Sequence, residues 1–406
     1  MSNAEPEVRL AGMFLSVHST AITKPMTGGT FKALKLNLVH LHTDTDAYFR
    51  REVHGYTQKL FDRLRASTAT LSKSLVKGRN PEQGRLPYPQ QCLQPNNARA
   101  EANSEDPLVE SLAFIVWYTK FLEWELRSTG TYQRRITALR SLTIVLKAGI
   151  DPGVPHAQLS KSAQGELKWA HGLQVSNMNL IRLLLDLVLD PFDDIREASI
   201  SVLKLCLAAL PEADRHEALS TLPRFVARAE AMMLRTGRAD QADGVARAYS
   251  LLFTVADTNV AKSSDLPSSS TEVFTGLTKQ LETTLQVART NLSEAVNGRP
   301  VHGIFAALTY VTSKSTTDVH SLIFHRYIVD QDGFYPAISK ESAEVRSMWV
   351  QAHNEIIERF ESLWSIVFNV LCADAPEGNV PEEVEEESLD TREVLSYSWR
   401  GLKEAR

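Results

Sequence analysis

Apolar residues recur at helical spacing through most of the chain, and the clearest case is the stretch 177–210. In its second half, small or apolar residues follow one another at intervals of three and four, which places them on one face of an α-helix. The first half, 180–189, is apolar on nearly every side, so a helix there needs neighbouring helices to cover it. The stretch predicts two helices folded back on each other around a break at 190–193. The residues of the inward face in the second helix are Ile195, Ala198, Val202, Leu205 and Ala209.

Helix pairs of the same kind are predicted elsewhere along the chain. Asp106 and Pro107 begin one of them, because they combine a helix-capping side chain with proline at the first helical position. Its partner helix starts after Gly130 and ends before Gly149, a residue type that commonly ends helices. No stretch alternates with the period of two that a strand requires. We therefore predict an all-α protein, an α-solenoid of HEAT/armadillo-like antiparallel helix pairs.

Breaker residues and local composition divide the chain into six predicted parts. Residues 1–28 and 77–106 lack apolar periodicity. Residues 373–390 are rich in glutamate and proline, a composition typical of loops. The chain also stops soon after a new helix begins, so we expect it to be a truncated piece of a longer protein. The predicted parts are a poorly structured N-terminus (1–28), a helical segment (29–76), a surface loop (77–106), the solenoid (107–372), an acidic loop (373–390) and the start of a further repeat (391–406).

Composition and charge narrow the classes of function. The chain has 406 residues, of which 43% are hydrophobic and 23% charged, as expected of a folded protein. Its net charge of −5 gives no overall attraction to nucleic acid, so any such contact must come from a local basic face. Three widely separated cysteines predict neither a disulfide framework nor a zinc site, and no run is long and apolar enough to span a membrane. We expect a cytoplasmic protein.

A search for catalytic and cofactor motifs finds none. The chain has no glycine-rich phosphate loop, no nucleophile elbow and no paired histidines at metal-binding spacing. Adjacent Asp193 and Asp194 precede a predicted helix, where carboxylates cap free amide groups. We therefore predict no enzyme activity, no cofactor, no metal and no small-molecule substrate.

Arginine and lysine residues concentrate in three predicted helical regions. The default interpretation is that they are solvated helix faces, and the alternative is a groove that follows the phosphates of a nucleic acid. The first set, Arg134, Arg135 and Arg140, is our leading candidate for RNA or partner binding. The other two sets are Arg50, Arg51, Lys59, Arg63 and Arg65, and Arg224, Arg228, Arg235, Arg238 and Arg247.

Five short motifs resemble those of one protein family, the thyroid adenoma-associated protein (THADA) family with its fungal members. The match is most specific in the last third of the chain. The motifs are DDIRE (193–197), RPVHG (299–303), VRSMW (345–349), ADAPEG (373–378) and DTREVLSYSWRGLKE (390–404). In the family, the last motif continues into a further stretch with an arginine-rich motif, whereas this chain ends at Arg406.

The resemblance implies a function for a chain that has no catalytic motif of its own. Family members are large cytoplasmic α-solenoids, and fungal ones act as non-catalytic partners of a FtsJ-type tRNA ribose 2′-O-methyltransferase for nucleotide 32 of the anticodon loop. The partners implied are thus the methyltransferase and tRNA. The alternative is a general protein-interaction scaffold without RNA contact.

The resemblance also implies roles for single residues. Arg400 and Lys403 would line a surface for RNA or the methyltransferase, and the alternative is that Trp399 packs inward while both charges face water. A second set belongs to the family motifs and is expected to be structural. That set is Asp193, Asp194, Arg196, Arg299, His302 and Trp399.

Overall fold

The computed structural model of the chain describes residues 4–77, 106–165, 168–256, 267, 269–312, 343–371 and 391–405. The described residues form helices and the turns between them, with no strand among them. The predicted all-α class is confirmed. Two compact units divide the chain, one made of residues 1–187 and 197–214, the other of residues 188–196 and 215–406.

The first unit is built from helix pairs that share one apolar core. Helix α2 contributes Phe31, Leu34 and Leu38 to this core. Helices α1 and α3 pack on each other, and α2, α4 and α5 pack together. The helices are α1 (Pro6–Val17), α2 (Gly28–His42), α3 (Ala47–Lys77), α4 (Pro107–Glu125), α5 (Tyr132–Lys147), α6 (Lys161–Gly165) and α7 (Met178–Leu187), with a 3₁₀ turn at His156–Gln158.

Local chemistry sets the ends of the helix pair α4 and α5. The side chain of Asp106 accepts a hydrogen bond from the backbone N–H of Leu108 at 2.9 Å, so it caps α4 as predicted. Gly149 follows α5 with a φ of 78°, a left-handed conformation that glycine adopts at little cost. Between helices α2 and α4, His42 Nδ1 lies 2.5 Å from Glu125 Oε2 in the buried interior, so this histidine is a core residue with a partner.

Helices α8 (Asp193–Ala209) and α9 (Glu212–Ser220) each cross the boundary between the two units. Ile195, Val202 and Leu205 are buried on α8, which confirms the predicted phase of this helix. Asp193 and Asp194 are the first and second residues of this helix, so neither occupies the cap position predicted for them. The remaining helices belong to the second unit: α10 (Leu222–Thr236), α11 (Ala239–Ala256), α12 (Ser270–Thr290), α13 (Leu292–Gly298), α14 (Val301–Thr312), α15 (Ala343–Leu371) and α16 (Thr391–Ala405).

Helix α14 is the centre of the second unit and packs against α11, α12 and α16. Its residues from Val301 to Leu308 are buried on every side, as expected of a helix surrounded by others. Helix α15 packs on α12 and α16. Its Trp349 is fully buried, with the ring edge-on to Phe274 at 5.0 Å between centroids.

The structure corrects the predicted N-terminus and two helix bounds. Residues 1–28 were expected to be poorly structured, but α1 begins at Pro6 and buries Met13 and Val17 against its own unit. A helix expected over 212–236 is interrupted at Thr221, just before Pro223, since proline favours the first turn of a new helix. A helix expected over 272–296 is interrupted at Asn291, whose side chain caps α13.

Four predicted segments fall largely or wholly outside the described residues. They are the surface loop 77–106, a serine-rich linker at 261–271, a helix at 317–329 and the acidic loop 373–390.

Candidate nucleic-acid interface

Three arginines form an exposed row on helix α10. Arg224, Arg228 and Arg235 are exposed and lie four and seven residues apart. At 3.6 residues per turn, they lie within about 40° of one another around the helix, and the row extends for about 16 Å along the axis. The opposite face of the helix is buried through Phe225, Val226, Ala229 and Met233. We call the three residues the α10 arginine row.

Among the described residues, no carboxylate forms an ion pair with the arginines at the two ends of this row. The acidic residue within α10, Glu230, is half-buried and accepts hydrogen bonds from Tyr249 Oη at 2.6 Å and Gln280 Nε2 at 2.9 Å. In the part of the chain that the structure describes, neither Arg224 nor Arg235 has an ion-pair partner. Both ends of the row therefore present positive charge to solvent.

The C-terminal end of α10 is where helix α16 meets it. Gly237 ends α10 in a left-handed conformation with a φ of 59°, a common way for a helix to end. Arg400 of α16 donates from Nη1 to the carbonyl oxygen of Gly237 at 2.9 Å. A cation at this position is favoured because the helix C-terminus carries partial negative charge. The contact places Arg400, a predicted binding residue, at the end of the arginine row, whereas the neighbouring Arg238 is paired with Asp240 at 2.8 Å.

The start of α14 also reaches the C-terminal end of α10. A Cβ added to Gly303 would overlap Met233 Sδ, so the Met233 side chain of α10 lies directly on Gly303 of α14. A Cβ added to Gly401 would lie 2.9 Å from Val301 Cγ1, and α16 packs closely on α14 there. The RPVHG motif and residues 398–401 of the last motif thus meet at the C-terminal end of α10.

His302 is buried at this junction and is only 4% exposed. Burial, aided by the positive charge of Arg400, lowers the pKa of His302 from 6.5 to about 4, so the imidazole is neutral at pH 7. Neither ring nitrogen has a hydrogen-bond partner among the described residues. Its position supports the structural role expected of this residue.

The other motif residues at this end of the unit are exposed. Arg299 lies between α13 and α14 and faces solvent. Lys403 is exposed, with Nζ 3.5 Å from Glu404 Oε1. Trp399 is 65% exposed, so the expectation that it packs inward is wrong. The reason is helix phase: the buried side of α16 is filled by Val394, Tyr397 and Ser398, which leaves Trp399 outside.

Asp193 and Arg196, from the DDIRE motif, belong to a separate charged network inside the second unit. Arg196 is buried, donates from Nε to Asp243 Oδ2 at 2.5 Å and pairs with Asp193 at 3.1 Å. Arg247 also binds Asp193 and Asp243, both at 2.8 Å, and Tyr310 donates to Asp243 at 2.6 Å. Burial alone would raise the pKa of Asp243, but these hydrogen bonds and charges lower it. The network joins α8, α11 and α14, a structural role.

The first sequence candidates lie in the first unit and do not share a face. On α5, Arg134, Arg135 and Arg140 are separated by at least about 100° around the helix axis. The guanidinium of Arg134 lies over the Trp124 ring, 5.6 Å from its centroid, and its Nε is 3.9 Å from Glu125 Oε1. Arg140 is exposed and Arg135 is half-buried. These three arginines do not form a continuous basic surface.

The arginines of α3 are largely internal. Arg50 donates to the backbone oxygens of Asp44 and Thr45, and Arg63 donates to those of Val17 and Lys24. Both are buried, so they serve as structural hydrogen-bond donors within the first unit. Arg65 is likewise buried and donates to Ala148 O at 3.3 Å and to Asp62 Oδ1 at 2.9 Å.

Other kinds of site are not found in the described residues. They contain no group of three or more His, Cys, Asp or Glu arranged to hold a metal ion. None of the described helices is long and apolar enough to cross a membrane. Burial raises the pKa of the Cys206 thiol to about 12, as expected for a cysteine that packs as a small apolar residue.

Comparison with known proteins agrees with the motifs. A family model described as "Trm732, TPR repeats" matches residues 1–197, and a model described as "THADA/TRM732, DUF2428" matches residues 351–406. Together the two matches cover more than half of the chain. The chain belongs to the THADA/Trm732 family. TPR repeats are helix pairs, in keeping with the helical-repeat fold.

A curated relative within the THADA/Trm732 family is the tRNA (32-2′-O)-methyltransferase regulator trm732 of Schizosaccharomyces pombe. It is 24% identical over 413 residues, which covers 98% of this chain. The chain spans 23% of the length of that relative. No solved structure matches the chain.

The family matches and the arginine row lie in different parts of the chain. The DUF2428 match includes Trp399, Arg400 and Lys403, whereas α10 and α14 lie outside both family models. The arginines of α10 belong to one of the three basic sets found in the sequence, but the set chosen as the leading candidate lies on α5. The spacing of four and seven residues on α10 was the signal that could have identified a shared face.

Proposed function

We propose that this chain is part of a non-catalytic regulatory subunit of a FtsJ-type tRNA ribose 2′-O-methyltransferase that modifies nucleotide 32 of the anticodon loop. Membership of the THADA/Trm732 family supports the regulatory role, as does the relative named a regulator of a tRNA (32-2′-O)-methyltransferase. In this proposal the methyltransferase carries the reaction chemistry, and this chain holds the enzyme and its substrate in position. The protein acts in the cytoplasm.

The observation that carries a direct tRNA contact is the α10 arginine row, which Arg400 extends at its end. Exposed guanidinium groups such as those of Arg224 and Arg235 suit a phosphate backbone, since each contact releases counterions from the nucleic acid. Trp399 is exposed, lies one residue from Arg400 on α16 and offers a ring on which a base can stack. We propose that this face, α10 with the exposed side of α16, contacts tRNA.

Reconstitution with purified components tests the proposed function. The chain and the FtsJ-type methyltransferase of the same organism are mixed, and complex formation is measured by co-purification. Methylation of nucleotide 32 is then measured on tRNA transcripts with and without the chain. We expect a stable complex and faster methylation in the presence of the chain.

The outcomes separate the proposed function from its alternative. A complex that forms but does not bind tRNA would support the alternative of a protein scaffold without RNA contact. The proposal would be contradicted if the methyltransferase bound neither this chain nor a version extended to the length of the relative.

A further inference from the structure

Helix α15 carries a second apolar face, which is exposed. Val350, Ile357 and Trp364 recur at intervals of seven residues, and Phe368 follows four residues after Trp364. At 3.6 residues per turn, these four side chains lie within about 40° of one another around the helix. We call this set the α15 stripe.

The stripe is too large and too regular to be scattered surface residues. The exposed fractions of Val350, Ile357, Trp364 and Phe368 are 55%, 56%, 41% and 44%. The set extends for about 27 Å along the helix. The rings of Trp364 and Phe368 meet edge to face at 5.4 Å, so the two aromatic side chains form one continuous apolar surface. A continuous exposed apolar surface of this kind marks an interaction site.

Packing within the second unit uses a different face of α15. Trp349, Leu363 and Val367 are buried, and they lie roughly a quarter turn away from the stripe. Two polar contacts to α12 fix the rotation of the helix. Arg359 Nε lies 3.2 Å from Glu282 Oε2, and Arg289 donates to Ser362 Oγ at 2.5 Å. The stripe is therefore held outward by contacts on the other side of the helix.

The charges beside the stripe narrow the choice of occupant. Glu361 is exposed and lies within about 60° of the stripe residues around the helix, and Glu358 is exposed about a quarter turn from the stripe on the same side. A twofold pairing of two copies through the stripe would bring the carboxylates of both copies together, which disfavours self-association. Anionic lipid and RNA phosphate would be repelled in the same way. A protein segment that carries lysine or arginine beside apolar residues fits both features.

We propose that the α15 stripe is the docking surface for an amphipathic helix of the methyltransferase subunit, with basic residues that face Glu358 and Glu361. The spacing of seven and four residues matches the way two helices interdigitate side chains along a shared seam. This inference rests on the proposed function, since it names the surface that holds the same partner. It places the protein contact on α15 and the tRNA contact on α10.

Binding of purified methyltransferase to the full chain without tRNA tests the docking surface. The test variant is the double substitution Ile357→Ser and Trp364→Ser, and the control is Leu15→Ser, a change of another exposed apolar residue in the first unit. We expect the double variant to weaken the dissociation constant by more than about tenfold, as for aromatic anchors in other interfaces. The control should leave binding unchanged. Circular dichroism and thermal unfolding confirm that each variant is folded.

A charge variant tests the basic character of the partner. Glu358→Lys with Glu361→Lys should also weaken binding, and its effect should diminish at high salt because screening removes the repulsion. If both double variants bind as tightly as the unmodified chain, the docking inference is wrong although the proposed function stands. If neither the unmodified chain nor the version extended to the length of the relative binds the methyltransferase, the proposed function fails and this inference fails with it.

The same variants distinguish the other occupants. Analytical ultracentrifugation reports self-association, and flotation with phosphatidylcholine–phosphatidylserine vesicles reports lipid binding. Self-association or vesicle binding that is lost in the Ile357→Ser, Trp364→Ser variant would overturn the inference by assigning the stripe to a second copy or to lipid.

Discussion

Helices α3 and α10 are both rich in arginine, yet most arginines of α3 are buried, whereas those of α10 are exposed. On α3, Arg65 is buried and bonded to Ala148 O and Asp62. On α10, Arg224 and Arg235 are exposed, and no described carboxylate pairs with them. The first set holds the fold of its own unit together, and the second set is available to a ligand.

The difference shows that the count of arginines does not locate a binding surface. A guanidinium has five N–H donors, so a buried arginine can satisfy several backbone oxygens at once. Such a buried arginine is not available to bind a ligand. A basic face available for phosphate needs arginines that share one side of a helix and are not bound to internal acceptors. Arg224 and Arg235 of α10 share one side, and neither has an acceptor among the residues that the structure describes.

The largest expected effect is the loss of a buried arginine from α3. Arg65→Ala should lower the free energy of unfolding by about 3 kcal/mol, since it leaves a cavity and removes two hydrogen-bond donors. Those donors bind Ala148 O and Asp62. Arg235→Ala on α10 should change the free energy of unfolding by less than about 0.5 kcal/mol. Urea denaturation followed by circular dichroism measures both, and equal effects would break the distinction between the two helices.

Two buried histidines, one on α3 and one beside Arg400, should make the free energy of unfolding depend on pH. His54 on α3 and His302 beside Arg400 both have a folded-state pKa of about 4, below the value of 6.5 in the unfolded chain. Burial is the main cause in each case, followed by the positive charge of Arg140 for His54 and of Arg400 for His302.

The sign of the effect follows from these values. Well above pH 6.5, neither histidine binds a proton in the folded or the unfolded state, so neither affects stability. As the pH falls below 6.5, the unfolded chain binds protons first, so stability is lost down to about pH 4, by about 3 kcal/mol for each histidine. His302→Gln should remove one of the two losses in unfolding experiments between pH 7 and 4. An unchanged pH profile would show that His302 is not kept neutral by the fold.

The junction beside Arg400 includes a tight contact between Gly303 of α14 and the buried side chain of Met233 on α10. Gly303→Ala should destabilise the chain by about 1–3 kcal/mol, because the new Cβ would overlap Met233 Sδ and displace that buried side chain. Gly276→Ala on α12 is the matched control, since no atom lies within 4 Å of its added Cβ. Alanine there should stabilise the helix by about 0.5–1 kcal/mol. Thermal unfolding compares the two, and equal shifts would contradict the tight contact at Gly303.

Much of the fold could be predicted from apolar spacing. Ile195, Val202 and Leu205 are buried as their spacing predicted, because one helix face must be covered in a repeat of helix pairs. Helix ends with a distinct local cause were also predictable, as Asp106 and Gly149 show. The break at Asn291 was missed, although Asn291 is followed three residues later by a glutamate, which is the spacing of a helix start.

The environment of a polar side chain was harder to predict than the helix that carries it. The sequence does not show which of the side chains of Arg65 and Arg235 is buried, because burial depends on which helix packs against each of them. The exposure of Trp399 was missed for a related reason: the buried side of α16 is set by its contacts with α14 and α15. Tertiary packing therefore decides which charged and aromatic residues remain available to a partner.

Titration of labelled tRNA with the chain at several salt concentrations shows whether the α10 arginine row binds tRNA. The test variant replaces Arg224, Arg228 and Arg235 with glutamine. The control replaces Arg134, Arg135 and Arg140 with glutamine, so both variants lose the same net charge. We expect weaker binding of the test variant, a slope of log K against log salt that is shallower by about 2–3, and little change in the control. Equal loss in both variants, or no loss in the test variant, would contradict a tRNA contact on α10.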